Sequence, residues 1–272
     1  MNAPTMRSAV TGAVDNPAKR LREQIRAGRH TTVTTGLAPG HVQANLVILP
    51  ADWAGEFAAF CAANPKPCPL IAQGEPGDPA LPGLGHDIDV RRDLPRYRVF
   101  RDGAAISEET DITSLWRDDL VAFALGCSYS FEAALLDAGV PIRHIEQGKK
   151  VCTYRTGLDT VPAGRLHGRM VVSMRNFTVA NAIRAIEITS RFPRVHGAPI
   201  HFGDPTAIGI ADIARPEYGG EPDIRPGEVP LFWACGVTPQ AVVEAAKPPF
   251  CITHKAGHML VTDRLNEEFR EA

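Results

Sequence analysis

Two stretches of the chain repeat one arrangement. "FALGCSYSFEAALLDAG" occupies residues 123–139 and "LFWACGVTPQAVVEAA" occupies residues 231–246. Each runs from an apolar, strand-forming segment through a Cys–Gly pair, in either order, into a helix-forming segment. A strand that feeds a helix is the unit of layered folds. Segments of both kinds alternate elsewhere too: "QANLVILP" (43–50) reads as a buried strand, "ADWAGEFAAFCAANP" (51–65) as a helix and "DNPAKRLREQIRAGR" (15–29) as a capped helix. The expectation is an α/β fold with a mixed, mostly parallel sheet and helices on both faces.

The middle of the chain changes rhythm. "IRHIEQGKKVCTYRTG" and "GRMVVSMR" read as β segments, "NFTVANAIRAIEITSRFP" as one helix, and 197–227 is rich in loops. The division expected is a larger α/β domain from 15–139 and 226–272, with a smaller α+β subdomain inserted at 140–225. Residues 1–14 read as a flexible tail without a hydrophobic signal core, so the expected location is the cytoplasm.

With 272 residues, 44% of them hydrophobic, a substantial core is within reach. A formal net charge of -2 argues against nucleic-acid binding through bulk electrostatics. No apolar run reaches the length of a membrane span. The six cysteines are scattered and contain no C-x-x-C, which favours free thiols over disulfides or structural zinc. GxGxxG and GxxxxGK[ST] are both missing, so no nucleotide is implied.

The chemistry is expected at the paired turns, because ligands in open α/β sheets settle where strands end and helices begin. Helix starts offer unpaired N–H groups to a carboxylate or thiolate. Cys127, Ser128 and Ser130 occupy one such start, with Glu132 one turn in. Cys235, Thr238 and Gln240 occupy the other. A cysteine so placed is expected to have a lowered pKa, although a buried Cys after a strand is also an ordinary small hydrophobe. His254, at the end of "FCITH", is a candidate acid or base. Arg155 and Arg175, each ending a β segment, are candidate carboxylate clamps. His196, His201 and Asp204 are N and O donors whose spacing matches no strong metal signature, so metal is the weaker reading.

Together "GHVQANLVILP", "GCSYSFE", "YRTG", "MVVSMR", "HGAPIHFGDP", "GEVPLFWACGVTPQ" and "GHMLVTD" resemble the bacterial hydro-lyases related to D-glutamate cyclase, across about residues 15–265. Asn176 stands where a proline commonly follows "MR", and "THKAGH" replaces a form with Ala-Pro in its middle. The resemblance implies a cytoplasmic lyase of two subdomains that converts D-glutamate to 5-oxo-D-proline and water, with a small carboxylate as its partner. No metal or organic cofactor is expected, and a homo-oligomer is left open. Two other readings use the same residues: a cofactor-independent racemase with paired cysteines, and a non-catalytic carboxylate-binding protein.

Overall fold

A computed structural model describes residues 16–271. The expected tail, 1–14, lies outside them. The helices are α1 (Pro17–Arg26), α2 (Ala51–Ala63), α3 (Tyr129–Asp137), α4 (Arg143–Glu146), α5 (Val179–Ser190) and α6 (Val237–Ala246). The first strands are β1 (His41–Pro50), β2 (Leu70–Gln73), β3 (Tyr97–Arg101), β4 (Ala104–Glu109) and β5 (Leu120–Leu125). β6 (Cys152–Asp159), β7 (Arg169–Thr178), β8 (His201–Phe202) and β9 (Glu228–Ala234) follow, then β10 (Cys251–His254) and β11 (Leu260–Leu265).

The strands form two sheets. The first has the order β2-β5-β1-β10-β3-β4, with β11 also paired to β1; the second has the order β6-β7-β9-β8. Every strand pair is antiparallel. This corrects the expectation of a mostly parallel sheet with helices on both faces, and the physical reason is visible in the connections. The β1–α2–β2 segment is a crossover of the expected kind, but β5 inserts between its two strands and pairs antiparallel with both. The sequence division placed 226–272 with the larger unit, whereas β9 pairs along β7 in the second sheet, Val172 opposite Ala234.

Two other strand-to-helix passages do not return to their own sheet. After β5 the chain runs through α3 and α4 to β6 in the second sheet; after β9 it runs through α6 back to β10 in the first. The two cysteine turns are therefore the two crossings between sheets. Each crossing helix packs across the junction. Phe131 and Leu135 of α3 bury against Phe177, Leu231 and Trp233 of the second sheet. Val242 and Val243 of α6 bury with Val47, Leu49 and Phe123 of the first. Burying one such side chain stabilises the fold by ~1.5–3 kcal/mol, so this exchange of helices holds the sheets together.

β1 explains where the polar groups go. Side chains alternate faces along a strand, and Gln43, Asn45, Val47 and Leu49 share one face. Val47 and Leu49 join the core under α2 and α6. Gln43 and Asn45, also buried, continue that face toward the junction.

Candidate active site

Asn45 sits between the two cysteine turns. Its Nδ2 donates to the carbonyl of Gly126 at 2.9 Å, and a methyl added at Gly236 would overlap its amide. One side chain of the central strand thus spaces both crossings. Gly126 has no room either, since a methyl there would meet the Arg194 carbonyl and Val195. Both glycines serve close approach rather than turn conformation.

The turns match in detail. The Ser130 N–H donates to the Cys127 carbonyl at 3.1 Å and the Thr238 N–H to the Cys235 carbonyl at 2.9 Å. The backbone at Tyr129 and at Val237 favours the ionised form of the preceding thiol, Cys127 and Cys235. Ser128 and Gly236, which follow the cysteines, have backbone N–H groups with no acceptor among the described residues. Cys127 feels Cys235 across the junction, and both thiols feel the charge of Arg175.

The expectation of lowered thiol pKa values is corrected. Burial pushes Cys127 up to about 12, against the opposing effects of the Tyr129 backbone and Arg175. Burial also raises Cys235, although that residue keeps part of its surface exposed. Two short helix starts do not offset the desolvation of a thiolate.

Beside Cys127 lies a buried ion pair. Arg175 Nε donates to Glu132 Oε1 at 2.8 Å, and Nη2 also meets Glu132. Nη1 donates to Ser173 Oγ at 3.0 Å and Nη2 to Ser128 Oγ at 3.1 Å. The guanidinium lies 5.3 Å from the ring centres of both Phe131 and Trp233. His144 Nε2 approaches the same Glu132 oxygen at 3.3 Å. Burial alone would raise the Glu132 pKa, but Arg175 and His144 outweigh it and hold the carboxyl below its ordinary value. All three contacts meet Oε1, and Glu132 is among the residues that line a cavity.

That cavity holds about 510 Å3. Tyr129, Glu132 and His144 face it from the α3–α4 side, Gln43 from β1, and Lys149 and Lys150 from the loop after α4. Neither lysine has a carboxylate partner among the described residues. Burial raises the pKa of Tyr129, with Thr35 opposing the rise. Tyr129, Glu132, Ala133 and Leu136 recur at helical spacing on α3. That spacing was the available signal for this wall, and sequence reasoning singled out Glu132 alone.

The structure thus gathers Cys127, Cys235, Ser128, Glu132 and Arg175, and adds Asn45, Tyr129, His144, Lys149 and Lys150. Ser130 lies in the same turn, its Oγ buried with no partner among the described residues. The remaining candidates stand elsewhere or are engaged. Thr238 Oγ1 closes a two-way bond with the Val171 backbone. Gln240 reaches Glu244 at 3.4 Å. Arg155 is exposed and bonds Tyr218. His254 is buried against the Leu46 backbone, its pKa pushed down to about 4 by burial. His201 contacts the Asp204 backbone carbonyl, while the Asp204 carboxylate holds Thr206. Among the described residues no group of three or more His, Cys, Asp or Glu is placed to hold a metal. No helix among them is long and apolar enough to cross a membrane.

Comparison with known proteins adds the following. The family model described as D-glutamate cyclase matches residues 121–263, which contain both crossings. A Bordetella petrii protein whose name begins "Putative hydro-lyase" is 67% identical over 92% of this chain and 94% of its own. A similarly named Cupriavidus taiwanensis protein is 58% identical over 97% and 98%. The crystal structure of a nitrogen repressor-like protein from Methanococcus jannaschii covers 93% of this chain and 100% of its own, at 8% identity and a TM-score of 0.38. That likeness supports no argument. Identity at this level over nearly full length, with the family match spanning the junction, decides the kinship: the chain belongs to the D-glutamate cyclase family.

Proposed function

We propose that the protein is a hydro-lyase that closes D-glutamate to 5-oxo-D-proline with loss of water, at the junction of the two sheets. The observation that carries this reading is Glu132: Arg175 and His144 both approach one of its carboxylate oxygens, and the residue lines the cavity. In the reaction the α-nitrogen attacks the γ-carboxyl carbon. A C–N bond forms, a C–O bond breaks, and the two protons lost from the ammonium leave with the departing oxygen as water. A carboxylate held ionised accepts such a proton, and because its acid form is strong it returns the proton readily.

The other groups fall into supporting roles. The free N–H groups of Ser128 and Gly236 suit the oxyanion of the tetrahedral intermediate. Lys149 and Lys150 suit the α-carboxylate. Arg175 spends its donors on Glu132, Ser128 and Ser173, so it acts as a positioning residue. The attack is intramolecular, so holding the folded-back conformer lowers much of the barrier.

Incubation of purified protein with D-glutamate, and separately with 5-oxo-D-proline, followed by chiral chromatography, tests the reading. Interconversion supports it; folded protein that converts neither compound removes it. The matched thiols favour a second reading, proton exchange at an amino-acid α-carbon. Solvent deuterium at that carbon without ring formation selects this alternative.

A further inference from the structure

The cavity is larger than ring closure of glutamate requires. Even if each of its ten non-hydrogen atoms took the ~30 Å3 of a whole water molecule in the liquid, an upper bound for bonded atoms, a glutamate would fill no more than about 300 Å3. The cavity holds about 510 Å3, within the range of roughly 300–1,000 Å3 that encloses much larger ligands. Its surplus is apolar. Val33, Leu37, Ala133, Leu136 and Ile145 line it, and Val33, Leu136 and Ile145 are 40%, 44% and 38% exposed. Three large hydrophobics left open to water on one cavity call for an apolar group to cover them.

Its polar groups narrow the ligand further. Gln43 Oε1 and Asn266 Oδ1 are buried acceptors with no donor among the described residues, and both residues line the cavity. Such an acceptor is costly to leave unpaired, and a small rotation of either side chain offers it to a ligand N–H. Lys149 and Lys150 call for an anion. The complementary molecule carries a carboxylate, an amide N–H and an apolar arm.

We propose that the cavity takes γ-amides of D-glutamate whose amine part bears an apolar substituent, and that the released amine leaves from the apolar wall. This rests on the ring-closure reading above. The place of the substituent follows by elimination. On the α-nitrogen it blocks the nucleophile, and on the α-carboxyl it removes the anion. At the γ-position it replaces an ionised carboxylate, which repels an incoming lone pair, with a neutral carbonyl. The α-nitrogen attacks that carbonyl, a C–N bond forms, and the amide C–N bond breaks. The two protons lost from the ammonium end on the departing amine, Glu132 carrying them. Nothing is oxidised or reduced.

The test compares D-glutamate, D-glutamine and D-γ-glutamyl-n-butylamide as substrates, following 5-oxo-D-proline and the released amine. Each buried methylene contributes about fourfold, so kcat/KM for the butylamide should exceed that for D-glutamine by at least about tenfold. Leu136→Asp and Ile145→Asp should each collapse that ratio toward one. A wild-type ratio near one, or a ratio that neither variant moves, overturns the proposal. Calorimetric titration of the same two amides gives the readout independently of turnover; equal affinities, or no binding of either, also overturn it. Turnover of D-glutamate without preference for the butylamide sinks this extension alone. Turnover of the butylamide without any of D-glutamate sinks the water-loss reading instead.

Discussion

Arg175 Nε donates to Glu132 Oε1 at 2.8 Å, and this bond joins the two halves of the molecule. Arg175 belongs to β7 of the second sheet, and Glu132 to the helix that leaves the first. Both side chains are buried, so neither charge has water to fall back on. Removing one partner strands the other: Glu132→Ala or Arg175→Met should each cost about 3–5 kcal/mol, while the double variant should lose less than the sum of the two. Urea denaturation of the four proteins checks this, and strict additivity would show that the pair is not coupled.

The contact between Asn45 and Gly236 predicts a steric result. A methyl at Gly236 overlaps the Asn45 amide, so Gly236→Ala should destabilise by about 1–3 kcal/mol through overpacking. The Asn45→Gly/Gly236→Ala double variant should relieve the overlap while losing the bond to Gly126. Thermal denaturation of the single and double variants distinguishes overlap from a general intolerance at residue 236.

Two buried histidines fix a pH dependence. Burial lowers His196 and His254 from an ordinary value of 6.5 to about 4. Between those limits the unfolded chain binds protons that the fold refuses, so unfolding free energy rises with pH there. The stability they contribute is complete above about pH 6.5 and is lost progressively as the pH falls toward 4. Denaturation midpoints measured from pH 4 to 7.5 should show this slope, and His254→Asn should flatten it.

The thiols should be unreactive. With Cys127 pushed up to about 12 and almost closed to solvent, its alkylation by iodoacetamide at pH 8 should run at least ~100-fold slower than that of free cysteine. Cys235, partly exposed, should react before it. Mass mapping of a time course reads both, and rapid labelling of Cys127 would contradict the desolvated environment.

Much of the local structure is legible in the sequence. The buried run of β1, the first turn of α1 capped by Asn16, and the Asp102–Gly103 hairpin follow from residue types; both turn residues take positive φ, 48° and 79°. Strand direction is not legible, because antiparallel order arises when β5 enters between β1 and β2, and nothing local to β5 encodes its neighbours. The cysteine turns stand out as a repeated pattern, and their meaning as crossings between sheets appears only in three dimensions. Arg155 and Arg175 look alike in sequence, each ending a β segment. One emerges on the surface against Tyr218 and the other is enclosed by Phe131 and Trp233, a difference set by partners far along the chain.

The central claim is that Glu132 moves the protons of ring closure at the sheet junction. The most direct measurement is the rate of 5-oxo-D-proline formation from D-glutamate by wild-type protein and by Glu132→Gln, compared at equal concentrations of folded protein. The account predicts measurable wild-type turnover and a fall of ~10²–10⁴-fold in the variant. Undiminished turnover by folded Glu132→Gln would contradict it.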